Sequence, residues 1–295
     1  MPHVTTPGAV AAPRSRRARA GALACLCYAA AGYLLLLAVL GYAFGFFAGV
    51  GVPKGIDQGT RSPWPLAVTI DAGLLLLFAV QHTVMARPWF KRRWTRLVPA
   101  PAERAKFVVA ASLAMALLFW LWRPVRGTVW QLSGAAGAAV WTVYVAGWAV
   151  ALSATFLVSH ADLFGLRQAY LHWRGVAYQP PAFTERGLFR WIRHPLMAGF
   201  LLIFWAAPVM TLGHALLAVL ATGYILAGIR FEERDLRRSL GETYRAYAAR
   251  VPALIPRPGQ AGRRTAGTGA RNSPRQERST NPRRDVATVA EDRAR

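Results

Sequence analysis

Apolar residues fall along this chain in long blocks separated by short polar stretches, without the alternation of a half-buried strand. A block of about 20 apolar residues crosses a bilayer core as a helix. The first covers about 21–50, and others cover about 66–86, 107–123 and 137–159. A last stretch holds two more, about 195–212 and 215–231, parted only by Gly213 and His214. The pattern predicts an all-α, polytopic transmembrane helix bundle of about six spans, closed by a C-terminal helical hairpin and a further cytoplasmic helix.

Charge then orients the bundle. Lys and Arg number 36 against 13 Asp and Glu, a net charge of +23. Loops of membrane proteins on the cytoplasmic side collect such residues. The segment 87–106 is basic and rich in Trp, and 160–192 carries Arg174, Arg186 and Arg190. The loop 51–65 has few positive charges, Lys54 and Arg61, and the one after Trp122 has Arg123 and Arg126. The alternation places both termini in the cytoplasm of a bacterial inner membrane. The basic excess is therefore assigned to membrane loops in contact with the lipid bilayer rather than to nucleic acid.

Four regions follow. Residues 1–20 form a basic cytoplasmic N-terminus, and 21–192 hold spans 1–4 with their cytoplasmic loops. Residues 193–256 hold the hairpin and its polar ends. Residues 257–295 form an arginine-rich tail without aromatics, which cannot bury enough apolar surface to order itself. The first apolar run is too long for a signal-peptide core and lacks a clear cleavage site. Cys25 and Cys27 lie inside that run, point to different helix faces and read as small apolar filler.

Spacing fixes one constellation. At 1.5 Å per residue, each arm of the hairpin is roughly 27 Å long. Arg193 and His194 must therefore meet Glu232 and Glu233 at one membrane surface. Pro195 suits a first helical turn, with His194 at the N-cap. A helix N-terminus favours an anion, and two carboxylates favour a cation. A ligand carrying both signs fits, such as an amino acid group or a sulfonium with its own carboxylate. A plain interfacial ion pair is the bland alternative.

Other polar residues sit within or at the ends of spans. Asp71 is expected to face the bundle interior and pair with another polar group. Gln81, His82 and His160 fall at cytoplasmic span ends, level with His194. Neither an HxxxH nor an HExxH spacing is present, so no metal is expected.

The motifs then carry a resemblance. Arg193-His194-Pro195, Glu232-Glu233-Arg234-Asp235-Leu236, Gly241-x-x-Tyr244-x-x-Tyr247 and Val251-Pro252 resemble the cofactor-binding core of isoprenylcysteine carboxyl methyltransferase-like membrane methyltransferases. Upstream, Gln81-His82-Thr83-Val84-Met85-Ala86-Arg87 and His160-Ala161-Asp162-Leu163-Phe164-Gly165-Leu166-Arg167-Gln168 resemble the bacterial methanethiol S-methyltransferase branch; denitrification-associated membrane proteins share part of the pattern. The resemblance implies S-adenosyl-L-methionine as cofactor, held by Arg193, His194, Pro195, Gly199, Glu232, Glu233, Tyr244 and Tyr247. It implies a small thiol as substrate, near Gln81, His82 and Gln168, with His82, His160 and Glu233 as catalytic candidates. One position departs from the family: the Tyr of its Arg-His-Pro-x-Tyr element is Met197 here, which exchanges a hydroxyl for an apolar thioether. The competing readings are an isoprenylcysteine carboxyl or phospholipid methyltransferase, and a non-catalytic accessory protein of nitrogen oxide metabolism.

Overall fold

The structure is a computed structural model that describes residues 15–257. Most of the basic N-terminus and nearly all of the arginine-rich tail lie outside the described residues. Ten helices follow in order: α1 Arg16–Ala48, α2 Trp64–Ala86, α3 Pro88–Trp94, α4 Glu103–Leu121, α5 Gly134–Val158, α6 His160–Leu163, α7 Leu166–Arg174, α8 Pro195–Trp205, α9 Leu212–Leu240 and α10 Glu242–Arg250. Two short strands, β1 Thr128–Gln131 and β2 Val209–Thr211, pair antiparallel. Five helices are long and apolar enough to cross a membrane: α1, α2, α4 with the turn before it, α5 and α9. Large apolar side chains such as Leu34, Trp120 and Phe156 stay exposed on their outer sides, as a lipid-facing surface requires.

The sixth apolar segment differs from expectation. α8 has only 11 residues, about 16 Å of helix. Pro208 disfavours helical geometry at the residue before it and removes a backbone donor. The chain then leaves as β2, and α9 begins at Thr211, whose Oγ1 accepts from the His214 backbone N–H at 3.1 Å. Gly213 and His214 therefore lie in the first turn of α9, not in a tight hairpin turn. The carbonyls freed beyond α8 find donors: Trp130 Nε1 donates to Ala207 O at 2.9 Å, and Leu132 N–H to Pro208 O at 2.8 Å. Non-helical backbone near a bilayer must be satisfied in this way.

The six apolar helices stand in a ring. α4 packs on α1 and α2, α2 on α9, α9 on α8, and α8 on α5. The Tyr144 hydroxyl closes the ring by donating to Phe44 O of α1 at 2.6 Å. All six helices contribute to one apolar core, through Phe46, Leu74, Phe119, Trp148, Ile203 and Leu217. These positions lie in the half of the ring away from the basic loops. That far end is further closed by Lys54, whose Nζ donates to the Trp120 and Trp122 carbonyls at the end of α4 at 2.6 and 2.8 Å. Asp71 is fully buried and accepts from the Arg123 backbone N–H at 2.8 Å, the polar partner expected of an acid within a span. The other half of the ring, toward the basic face, carries Gln81, His82, His160 and His194.

α5 and α8 approach closest. A Cβ on Gly199 would lie 2.7 Å from both Ala151 N and Gly147 O. Gly199 thus serves the close packing of α8 on α5. Gly199→Val is expected to destabilise the protein by about 1–3 kcal/mol, visible as a lower melting temperature in detergent.

Candidate active site

The polar ends of α8 and α9 meet, as spacing required. Arg193 Nε donates to Glu233 Oε1 at 2.8 Å, and its Nη1 donates to Ala248 O at 2.9 Å. The Arg193 and His194 backbone N–H groups donate to Pro252 O and Ala253 O at 2.9 and 3.1 Å. One arginine thereby ties the start of α8 to the end of α9 and to the chain after α10. His194 is buried at the N-cap of α8, with Nε2 3.3 Å from Glu233 Oε1 and Nδ1 3.4 Å from Glu232 Oε2.

The two carboxylates differ. Glu233 is buried, and Arg237 Nη2 donates to its second oxygen at 2.9 Å. Both of its oxygens are engaged by cations, so it holds Arg193 and His194 in place. Its contacts are those of a group that positions its neighbours. The Glu232 side chain is 48% exposed and is the accessible carboxylate of the pair.

α10 supplies the floor. Gly241 turns the chain at φ 56°, a region where a side chain would be strained. Tyr244, Tyr247 and Val251 are then buried against Leu236 and Leu240. Tyr247 donates to Phe189 O at 2.7 Å and is fully committed to the scaffold. The buried Tyr244 hydroxyl has no hydrogen-bond partner. Burial, with the neighbouring Glu233 and Glu232 charges, pushes its pKa up to about 12. It stays protonated, and it lies beside the Arg193 guanidinium without a hydrogen bond of full geometry. The α8 N-terminus, Glu232 and Tyr244 bring a positive helix end, a carboxylate and a hydroxyl to one place, groups complementary to a small zwitterion.

A second polar group lies on α2. His82 stacks on Phe78 at 5.3 Å and tilts against Phe107 of α4 at 4.8 Å. Its Nδ1 and the Gln81 side-chain oxygen are buried without partners. Thr83 Oγ1 donates to the Tyr224 hydroxyl of α9 at 3.3 Å, and the Tyr224 ring stands edge-on to Phe78. A turn further on, Arg87 pairs with Asp235 at 3.3 Å and lies over the Phe231 ring. α2 and α9 therefore run side by side in the same direction. The His82 group sits about 12 Å along α9 from Glu232, counting from Tyr224. Phe78, Phe107 and Tyr224 were not singled out from sequence. Tyr224, a hydroxyl within an apolar run, was the available signal.

His160 and Gln168 belong to a separate knot. His160 Nε2 is 2.7 Å from the Tyr33 hydroxyl, and Nδ1 is 2.8 Å from Thr155 Oγ1. The ring stacks on Phe156 at 4.2 Å, and burial lowers its pKa. Both of its nitrogens are thus engaged by hydroxyls of the fold. Gln168 Nε2 donates to the Asp162 carbonyl at 3.1 Å, and Tyr178 donates to Asp162 Oδ2 at 3.0 Å. Among the described residues, no hydrogen bond or ring contact joins this knot to His82 or to Glu232 and Glu233. Gln168 is bound to Asp162 within this knot.

Comparison with known proteins agrees with the motifs. The family described as "Protein of unknown function (DUF1295)" matches residues 78–251. A Mycobacterium tuberculosis protein named methanethiol S-methyltransferase is 49% identical over 232 residues, covering 78% of this chain and 95% of that protein. One of the same name from a Pseudomonas strain, GM41(2012), is 47% identical over 241 residues, covering 81% and 93%. Nurim from Sus scrofa is 30% identical over 226 residues, covering 70% and 84%. No solved structure matches. The chain belongs to the DUF1295 family and, within it, groups with the methanethiol S-methyltransferases.

Proposed function

We propose that this chain is an S-adenosylmethionine-dependent methyltransferase of the bacterial cytoplasmic membrane that converts methanethiol to dimethyl sulfide. The observation that carries this reading is the pairing of two sites on adjacent helices. One is the zwitterion cradle at the α8 N-terminus. The other is the aromatic chamber around the unpartnered Nδ1 of His82. The relatives of that name supply the substrate.

The residues fit the cofactor. The α8 N-terminus and His194 suit a carboxylate, while Glu232 suits an ammonium or sulfonium and Tyr244 offers an unused donor. S-adenosylmethionine supplies an electrophilic methyl group on a sulfonium, displaced in line with the bond pair returning to the sulfonium sulfur. The chain supplies orientation and a proton acceptor. His82 Nδ1 takes the S–H proton of the thiol, and Phe78, Phe107 and Tyr224 hold the small sulfur compound by soft aromatic contacts. The apolar core at the far end of the ring excludes water from that side. The basic face is the cytoplasmic one, with both termini there, and residues 193–256 form the donor region.

The test is headspace measurement of dimethyl sulfide from cells supplied with methanethiol. Release that depends on this chain, and fails with Glu233→Ala, is the expected result. No release from a chain that still binds S-adenosylmethionine would point to an isoprenylcysteine or phospholipid acceptor. No binding at all would leave the non-catalytic reading.

A further inference from the structure

α3 carries charge that the active site does not use. A groove of about 330 Å³ is lined by Trp89, Arg92, Arg93 and Arg96. All four are exposed. The other cations around this helix are engaged: Arg87 pairs with Asp235, and Lys91 lies 4.0 Å from Glu103. No carboxylate among the described residues lies within ion-pair distance of Arg92, Arg93 or Arg96. The opposite side of α3 is packed, with Trp94 stacked on Phe90 at 5.6 Å and Lys106 over the Trp94 ring. The arginines thus lie on the exposed side of α3.

Position decides what they meet. α3 begins two residues after α2 ends, at the level where a spanning helix leaves the apolar region. Trp89 is 52% exposed and Leu97 is 81% exposed, on the same segment as the three arginines. Trp is favoured at the headgroup level, and an exposed Leu beside it is satisfied by acyl chains. Guanidinium groups bind phosphate oxygens through two parallel hydrogen bonds. We propose that the α3 groove binds the phosphate headgroup of an anionic phospholipid, with Trp89 and Leu97 seated in the bilayer beside it. A zwitterionic headgroup carries its own cation and competes poorly with three arginines. The occupant also steadies the α2 end, because Arg87 caps α3 and bridges to Asp235, two residues beyond Glu233.

The test is native mass spectrometry of the full chain in detergent, titrated with phosphatidylglycerol and phosphatidylcholine. The expected result is a preference for phosphatidylglycerol of roughly tenfold or more, since each basic residue near a surface adds to the attraction. The variant R92Q/R93Q/R96Q should lose that preference, while R126Q on the opposite face keeps it. An unchanged melting temperature for the triple variant confirms that it is folded. Equal binding of the two lipids, or a preference that survives the triple substitution, overturns the proposal. Displacement of the lipid by millimolar inorganic phosphate also overturns it, because it would make the groove a site for the free ion.

Discussion

Glu233→Ala is expected to abolish methyl transfer while the chain still inserts and its spans still fold. Glu233 is the common partner of Arg193, His194 and Arg237. Removing one member of a buried charge group costs about 3–5 kcal/mol, because the remaining charges stay buried without compensation. The loss falls on the junction of α8, α9 and the segment after α10, not on the apolar core. Titration with S-adenosylmethionine should show affinity reduced at least 100-fold, with helical content by circular dichroism preserved. Glu233→Gln should retain hydrogen bonds to Arg193 but not charge balance, and so fall between the two. Wild-type activity in both variants would remove the donor site from this end of the protein.

His82→Ala should separate the two halves of the reaction. Positioned proton transfer contributes roughly 10²–10⁴-fold, so kcat/KM for the thiol should fall by about that factor. The dissociation constant for S-adenosylmethionine should stay within about twofold. Because the variant lacks a base, its activity should climb with rising pH until the free thiol ionises unaided. The wild type should level off earlier. A variant whose pH profile runs parallel to the wild type would show that His82 only fills space between Phe78 and Phe107. His160→Phe, by contrast, is expected to act on stability, since it removes the hydrogen bonds to Tyr33 and Thr155.

The spans were legible because bilayer-crossing helices demand long apolar blocks, and five of them stand in the structure as such. The meeting of Arg193 and His194 with Glu232 and Glu233 was legible for a related reason: two antiparallel arms of similar reach bring their ends level. What spacing could not show is which groups are already spent. Glu233 and His160 read as chemistry from their type, yet each is saturated by partners 40 and 127 residues away. The end of α8 was hidden because Ala206-Ala207-Pro208-Val209 reads as apolar as the helix before it, and only Pro208 marks the break. The pairing of β1 with β2 joins segments about 80 residues apart, which no local pattern announces. The His82 chamber needs α2, α4 and α9 together, so Phe78, Phe107 and Tyr224 looked like ordinary span residues.

The ties made by Arg193 also set an order in time. Its partners lie at Glu233, Ala248, Val251 and Pro252, all made after the last span has begun to leave the ribosome. A chain released after Leu240 would contain every spanning helix and the whole His82 chamber, but no closed donor end. During synthesis the protein can therefore enter the membrane and fold its apolar ring before it can hold a methyl donor. Competence arrives only once residues 241–252 have joined the fold.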